Sequence, residues 1–249
     1  MINMNEIDAI LFDFGGTLDT NGVHWSEKFW EVYQSFQIPI NYKIYREAYI
    51  NSEPNVQKLI DSSDNLFTTL KTQVQLQLEY LSNQGVFLPA CIDSLSIEIG
   101  ERCYNDVISK ISDIKPTLNT LQLVVSLGLV SNFYGNVKSV CKDLGIDSYF
   151  KVIVDSAELK ISKPDLQIFK TAIDLLNVSA DRTVVIGDSY DRDIIPAKKL
   201  GCKTIWLEGK SWKRQENTLH ADLIINSIRD IEEYFLKKVD ESTPERTRI

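Results

Sequence analysis

Four short polar clusters interrupt an otherwise apolar pattern, and their residue types could do chemistry together. The first, Asp13-Phe14-Gly15-Gly16-Thr17-Leu18, directly follows the apolar run Ala9-Ile10-Leu11-Phe12. The second is Ser131-Asn132 after Gly128-Leu129-Val130, and the third is Ser162-Lys163-Pro164-Asp165. The fourth is Gly187-Asp188-Ser189-Tyr190-Asp191-Arg192-Asp193 after Val185-Ile186. A carboxylate that leaves an apolar strand for a glycine turn is costly to bury unless it binds something. Carboxylates supply the hard oxygen ligands that Mg²⁺ takes, while hydroxyl and amide donors with one lysine suit a bound anion. A nucleophile, a divalent cation and donors on the equatorial oxygens are what phosphoryl transfer needs. Singly, each cluster is an ordinary strand-to-loop turn, because Gly, Ser, Asn and Asp form turns and cap helices. The reading rests on all four together.

The elements that must position them follow from hydropathy. Apolar runs at Ala9–Phe12, Val124–Val130, Val152–Val154, Thr183–Ile186, Thr204–Leu207 and Leu223–Ile225 suit strands buried on both faces of a parallel sheet. After the second run, each gap carries apolar residues at helical spacing, such as Ile168, Phe169, Ala172, Ile173 and Leu176. Strand alternating with helix predicts a doubly wound, Rossmann-like α/β sheet, whose ligand site lies at the carboxyl ends of the strands, where the clusters fall. The roughly hundred residues between the first and second runs are the exception and read as helix throughout. Stripes at Phe29, Trp30, Tyr33 and Phe36, at Phe67, Leu70, Val74, Leu78 and Leu81, and at Ile92, Leu95, Ile99, Cys103 and Val107 predict three or four amphipathic helices packed as a bundle. The aromatics there, with Tyr42, Tyr45 and Tyr49, read chiefly as bundle core, with some available to line a pocket. The division expected is a core of residues 1–20 and 113–240, a helical insertion of 21–112 and a tail of 241–249.

Composition narrows the partners. The 249 residues are 43% hydrophobic and 25% charged, enough for one core plus a sizeable insertion. A formal charge of −8 without a basic run argues against nucleic acid or an anionic membrane as partner. The N-terminus lacks the pattern of a signal peptide, and no stretch approaches the ~18 apolar residues of a membrane span, so a cytoplasmic location is expected. The four cysteines are widely spaced and only two histidines exist, so reduced core thiols are expected rather than a zinc cluster or a disulfide framework.

In this order and on this pattern of strands, the four clusters resemble the haloacid dehalogenase (HAD) superfamily of hydrolases. The resemblance covers the first twenty residues and the stretch from about Lys115 to Tyr234, and the helical insertion is similar to that family's first-position (C1) cap. It implies a Mg²⁺-dependent phosphatase acting on a small phosphorylated metabolite. Asp13 would be the nucleophile that forms an aspartyl-phosphate. Asp13, Asp188, the Gly15 carbonyl and, more distantly, Asp193 would hold the metal. Ser131, Asn132 and Lys163 would cradle the phosphoryl group, and Thr17 would fix the turn and donate to the phosphate. Asp191 reads as a solvated or capping residue.

One departure bears on the chemistry. Phosphatases that the chain resembles carry a second aspartate two residues after the nucleophile, which protonates the leaving oxygen and later activates water; here that residue is Gly15. Positioned acid–base catalysis is worth roughly 10²–10⁴ in rate. Three readings stay open: a phosphatase that is slow, confined to activated leaving groups, or supplied with an acid by Asp19, His24 or Glu27; chemistry needing no such donor, as in phosphonatases, which would use a cap lysine among Lys28, Lys43, Lys58 and Lys71, or dehalogenases; and a phosphate-binding protein without turnover. Arg192 and Lys160, the latter where a glycine is common, are further departures. The oligomeric state is not legible.

Overall fold

The computed structural model describes residues 2–86, 89–212, 215 and 218–235. Six parallel strands form one sheet: β1 Ala9–Phe12, β2 Ser126–Ser131, β3 Val152–Asp155, β4 Thr183–Gly187, β5 Lys203–Leu207 and β6 Leu223–Ile225. Their order is β3-β2-β1-β4-β5-β6, so β1 lies in the middle and the order reverses between β1 and β4, the switch point of a doubly wound sheet. Residues 9–12 pair in register with 126–129 on one side and 183–186 on the other, which brings the ends of β1, β2 and β4 level.

Strand alternation sorts the apolar side chains. Ile10, Phe12, Val184 and Ile186 join the cluster on one face of the sheet, and Leu11, Val130 and Val185 join Ile168, Phe169 and Ala172 on the other. β1, β2, β4 and β5 are thus covered on both sides, as their apolar runs require, whereas Ile224 on the edge strand β6 is exposed.

Between β1 and β2 the chain forms four helices: α1 Trp25–Ser35, α2 Tyr42–Val56, α3 Leu66–Asn83 and α4 Ile92–Gln122. Asn41 and Asn65 cap α2 and α3 by accepting from the N–H groups of Ile44 and Thr68. The three apolar stripes form the bundle interior, with Phe29, Tyr33, Leu70, Val74, Leu78, Ile99 and Cys103 all buried. α4 runs unbroken through the expected boundary between 112 and 113. Its buried stripe continues through Ile111, Ile114, Leu118 and Leu121 past Pro116, although a proline inside a helix normally marks a break. The remaining helices are α5 Val137–Asp143, α6 Ser156–Leu159, α7 Leu166–Leu176 and α8 Ile195–Leu200. Lys160 ends α6 in the left-handed region, φ 57°, which accounts for a position where glycine is common. Three cysteines are buried and Cys91 is exposed, all as free thiols. No helix of the described residues is long and apolar enough to cross a membrane. The expected tail, 241–249, lies outside the described residues.

Candidate active site

β1 runs straight into Asp13, whose N–H donates to the carbonyl of Ile186 at 2.9 Å and keeps it beside β4. The chain then winds through one wide turn, Phe14–Leu18, in which Gly16 takes φ 95°. A Cβ on Gly16 would lie 2.5 Å from Asp188 Oδ2, and one on Gly187 would lie 2.3 Å from Asp193 Oδ2. Both positions therefore require glycine if the carboxylates are to sit where they do.

Asp13, Asp188 and Asp193 each offer an oxygen, and the three oxygens lie within 4.8 Å of one another. Lys163 is buried among them; its Nζ donates to Asp13 Oδ1 at 2.5 Å, to Asp193 Oδ1 at 2.7 Å and to the carbonyl of Val130 at 3.1 Å. Burial alone would favour a neutral amine, but the carboxylates of Asp13 and Asp193 hold the Lys163 ammonium above its ordinary pKa. Burial and the adjacent carboxylates of Asp13 and Asp193 push Asp188 well above the usual carboxylate range. Asp193 is pushed up to about 6, chiefly by burial, with Lys163 working the other way.

The remaining predicted residues take distinct places. The Thr17 hydroxyl lies 3.0 Å from Asp13 Oδ2 and 3.1 Å from Asp188 Oδ1, and accepts from the Asp188 N–H, so it ties the two carboxylates together. Ser131, the last residue of β2, lines the cavity above the site. The Asn132 amide is engaged with the backbone of Lys163, donating to its carbonyl at 3.0 Å and accepting from its N–H at 2.8 Å. Asn132 thus positions the lysine, and its second amide N–H and its backbone N–H remain to meet an anion.

At Gly15 the backbone is ordinary, φ −74° and ψ 112°, and the space beyond is bounded by the indole of Trp25, 3.8 Å from where a Cβ would stand. The Trp25 Nε1–H donates to Asp19 Oδ2 at 2.6 Å and the Gly16 N–H donates to Oδ1 at 2.7 Å. Asp19 is buried, lines the cavity with Asp13, and is pushed up to about 7 by burial. The other candidate acids are less well placed. His24 accepts the Ser26 N–H on Nδ1 to cap α1, and burial lowers its pKa. Glu27 accepts from the Tyr42 hydroxyl and does not line the cavity. Among the described residues Lys163 is the only lysine lining the cavity, and Lys28 is paired with Asp106 at 2.7 Å, so no candidate cap lysine is placed for a Schiff base.

The cavity has a volume of about 380 Å³ and lies between the carboxyl ends of the strands and the inserted helices. It is lined also by Tyr49 and Glu53 of α2, Gln73 of α3, Tyr134, Arg192, Trp25 and Trp212. Glu53, Gln73 and Tyr134 were not legible as site residues, because an acid or an amide on an amphipathic helix looks like any solvated position. Arg192 was legible only as an oddity.

The chain belongs to the haloacid dehalogenase-like hydrolase family, whose model matches residues 10–207. It is similar to the glyceraldehyde 3-phosphate phosphatase of Methanocaldococcus jannaschii, 35% identical over 88 residues, which span 35% of this chain and 39% of that protein. It is similar also to haloacid dehalogenase-like hydrolase domain-containing protein 3 of Danio rerio, 28% identical over 149 residues, 59% of this chain and 62% of that protein. Each match thus spans less than two thirds of the relative's own length. In fold it is similar to the HAD-hydrolase YfnB of Bacillus subtilis, with TM-score 0.55, 18% identity, and coverage of 91% of this chain and 97% of that one.

Proposed function

We propose that the chain is a Mg²⁺-dependent phosphomonoesterase acting on a small phosphorylated metabolite through Asp13. The observation that carries this reading is the convergence of Asp13, Asp188 and Asp193, with oxygens within 4.8 Å of one another and buried Lys163 paired to Asp13 and Asp193. The donor set is all hard oxygen, which fits Mg²⁺; Asp13, the Gly15 carbonyl and Asp188 would hold it, with Asp193 behind them. When bound, the cation supplies charge neutralisation that lets the anionic nucleophile approach the anionic phosphate. The similarity to phosphatases and to a magnesium-bound HAD-hydrolase supports both assignments.

Asp13 attacks phosphorus, the P–O bond to the leaving alcohol breaks, and an aspartyl-phosphate forms; water then attacks that phosphorus and frees Asp13 and inorganic phosphate. Lys163 offsets the growing charge, together with the Ser131 hydroxyl and the backbone donors that follow it. Thr17 fixes the turn; its hydroxyl is directed at the carboxylates rather than at the phosphate. Asp19 gives its proton to the leaving oxygen in place of the missing side chain at residue 15, and takes one back from the attacking water. Trp25 and Gly16 fix its orientation, and each of its oxygens keeps a second lone pair for a proton. The reading treats residues 1–20 and 113–240 as the catalytic core and 21–112 as the cap, in a protein of the cytoplasm. Gly15 favours the alternative of a phosphate-binding protein with weak turnover. The test is phosphate release from sugar, acyl and nucleotide phosphates in millimolar Mg²⁺: release above the Asp13→Asn blank is expected, and none above that blank would leave only the binding alternative.

A further inference from the structure

The wall of the cavity carries two opposite charges that do not meet, Glu53 on α2 and Arg192 beside Asp193. Glu53 projects from α2 and is half-buried; its Oε1 accepts the Tyr134 hydroxyl, and its Oε2 accepts from Gln73 Nε2 at a long 3.4 Å. Gln73 is otherwise turned to Tyr134, donating to its hydroxyl oxygen at 2.6 Å. Burial raises the Glu53 pKa, and the positive charge of Arg192 lowers it. Arg192 is exposed and lines the same cavity as Glu53, His24 and Tyr49. Among the described residues, no carboxylate lies within the 4.0 Å ion-pair distance of Arg192. Both groups line the cavity that Asp13, Ser131 and Lys163 also line.

A half-buried carboxylate with one oxygen held only by a long hydrogen bond is stabilised more by a cation than by a neutral donor, because a neutral donor leaves its charge uncompensated. A guanidinium at the same wall is matched by a planar anion that it can grip through two N–H groups. We propose that this wall selects the leaving group, and that the site takes the phosphate monoester of a small zwitterionic alcohol whose ammonium meets Glu53 and whose carboxylate meets Arg192. The proposal rests on the phosphatase reading above for the placement of the phosphate. A cavity of about 380 Å³ holds a compound of that size with its phosphate and solvent. A sugar phosphate would offer Glu53 only hydroxyl groups and Arg192 no anion.

Four probes separate the two contacts: O-phosphoserine carries both groups, phosphoethanolamine the ammonium, 3-phosphoglycerate the carboxylate, and glycerol 3-phosphate neither. Affinity is measured by calorimetry on the Asp13→Asn protein in Mg²⁺, so that the result does not depend on turnover. O-phosphoserine is expected to bind at least about tenfold more tightly than glycerol 3-phosphate. Glu53→Gln should erase the advantage of the two ammonium-bearing esters and leave that of 3-phosphoglycerate. Arg192→Gln, at an exposed position where folding is not at risk, should do the reverse. If the two residues merely pair when the helices close over the site, both substitutions shift all four esters alike, and that result overturns the proposal. Equal affinity for the four esters also overturns it. Turnover of p-nitrophenyl phosphate that vanishes in Asp13→Asn tests the phosphatase reading separately: without turnover that reading fails, while the pattern of affinities still decides the zwitterion site.

Discussion

If Asp19 is the proton donor, Gly15 and Asp19 must be energetically coupled, and the geometry says how. A side chain at residue 15 meets no strain: φ is −74°, and the nearest atoms to a Cβ are Trp25 Cδ1 at 3.8 Å and Nε1 at 4.0 Å. A carboxylate there therefore comes within reach of the indole N–H that now holds Asp19 at 2.6 Å. Asp19→Asn should lower kcat on an alkyl phosphate by roughly 10²-fold or more, about 3 kcal/mol of transition-state stabilisation, and lower it by under about tenfold on p-nitrophenyl phosphate, whose leaving group needs little protonation. Gly15→Asp alone should change the alkyl ester rate by less than about threefold, yet recover at least about tenfold in the Asp19→Asn background, a non-additivity that a double-mutant cycle reads directly. Because Asp19 must be protonated to act and its pKa is raised to about 7, the wild-type rate on alkyl esters should be sustained below pH 7 and fall above it. Steady-state kinetics across pH 5–9 on both substrates is the assay. A large gain from Gly15→Asp in the wild type, with Asp19→Asn silent, would refute the assignment and make Asp19 a structural anchor for Trp25.

Three further outcomes follow from the carboxylate cluster. Burial raises Asp193 to about 6 and Asp188 well above the usual carboxylate range, so Asp193 stabilises the metal-free fold below pH 4 and that contribution is lost as pH rises through 6; added Mg²⁺ should therefore stabilise the protein more at pH 8 than at pH 5.5, by about 2.7 kcal/mol at pH 8 at a hundredfold excess over its dissociation constant, read as a rise in melting temperature that vanishes in Asp188→Ala. Lys163→Met leaves Asp13 and Asp193 without their buried partner and should cost about 3–5 kcal/mol by denaturant unfolding, together with all turnover. Gly16→Ala combines a positive φ with a Cβ 2.5 Å from the Asp188 carboxylate, so it should lower stability by about 2 kcal/mol or more and weaken the Mg²⁺ shift, both read in one thermal scan.

The sheet was legible because its strands are buried on both faces and each ends in a polar cluster; β1 and β4 fall within a residue of their apolar runs. The reach of α4 to Gln122 was not, since Pro116 reads as a break and only packing against the sheet and α3 shows why the helix runs on. Asp13 and Asp188 were legible because carboxylates that directly follow apolar strands are costly to leave unpaired, whereas Asp193, in the turn after β4, and Lys163, beyond α6, joined them through the family resemblance. That the Asn132 side chain grips the Lys163 backbone was not legible, because it is a contact between loops that spacing along the chain does not encode. Glu53 and Gln73 stayed invisible for the same reason: their meeting with Tyr134 depends on how α2 and α3 lie over the loop after β2.

The central claim is that Asp13 becomes phosphorylated, and trapping the intermediate tests it most directly. The protein is mixed with an acyl phosphate in Mg²⁺, quenched in acid within the first turnover, and its peptides are weighed. One phosphoryl group should appear on the peptide containing Asp13, and Asp13→Asn should carry none. Release of phosphate at an undiminished rate from Asp13→Asn, or turnover with the Asp13 peptide unmodified at every quench time, would contradict the account.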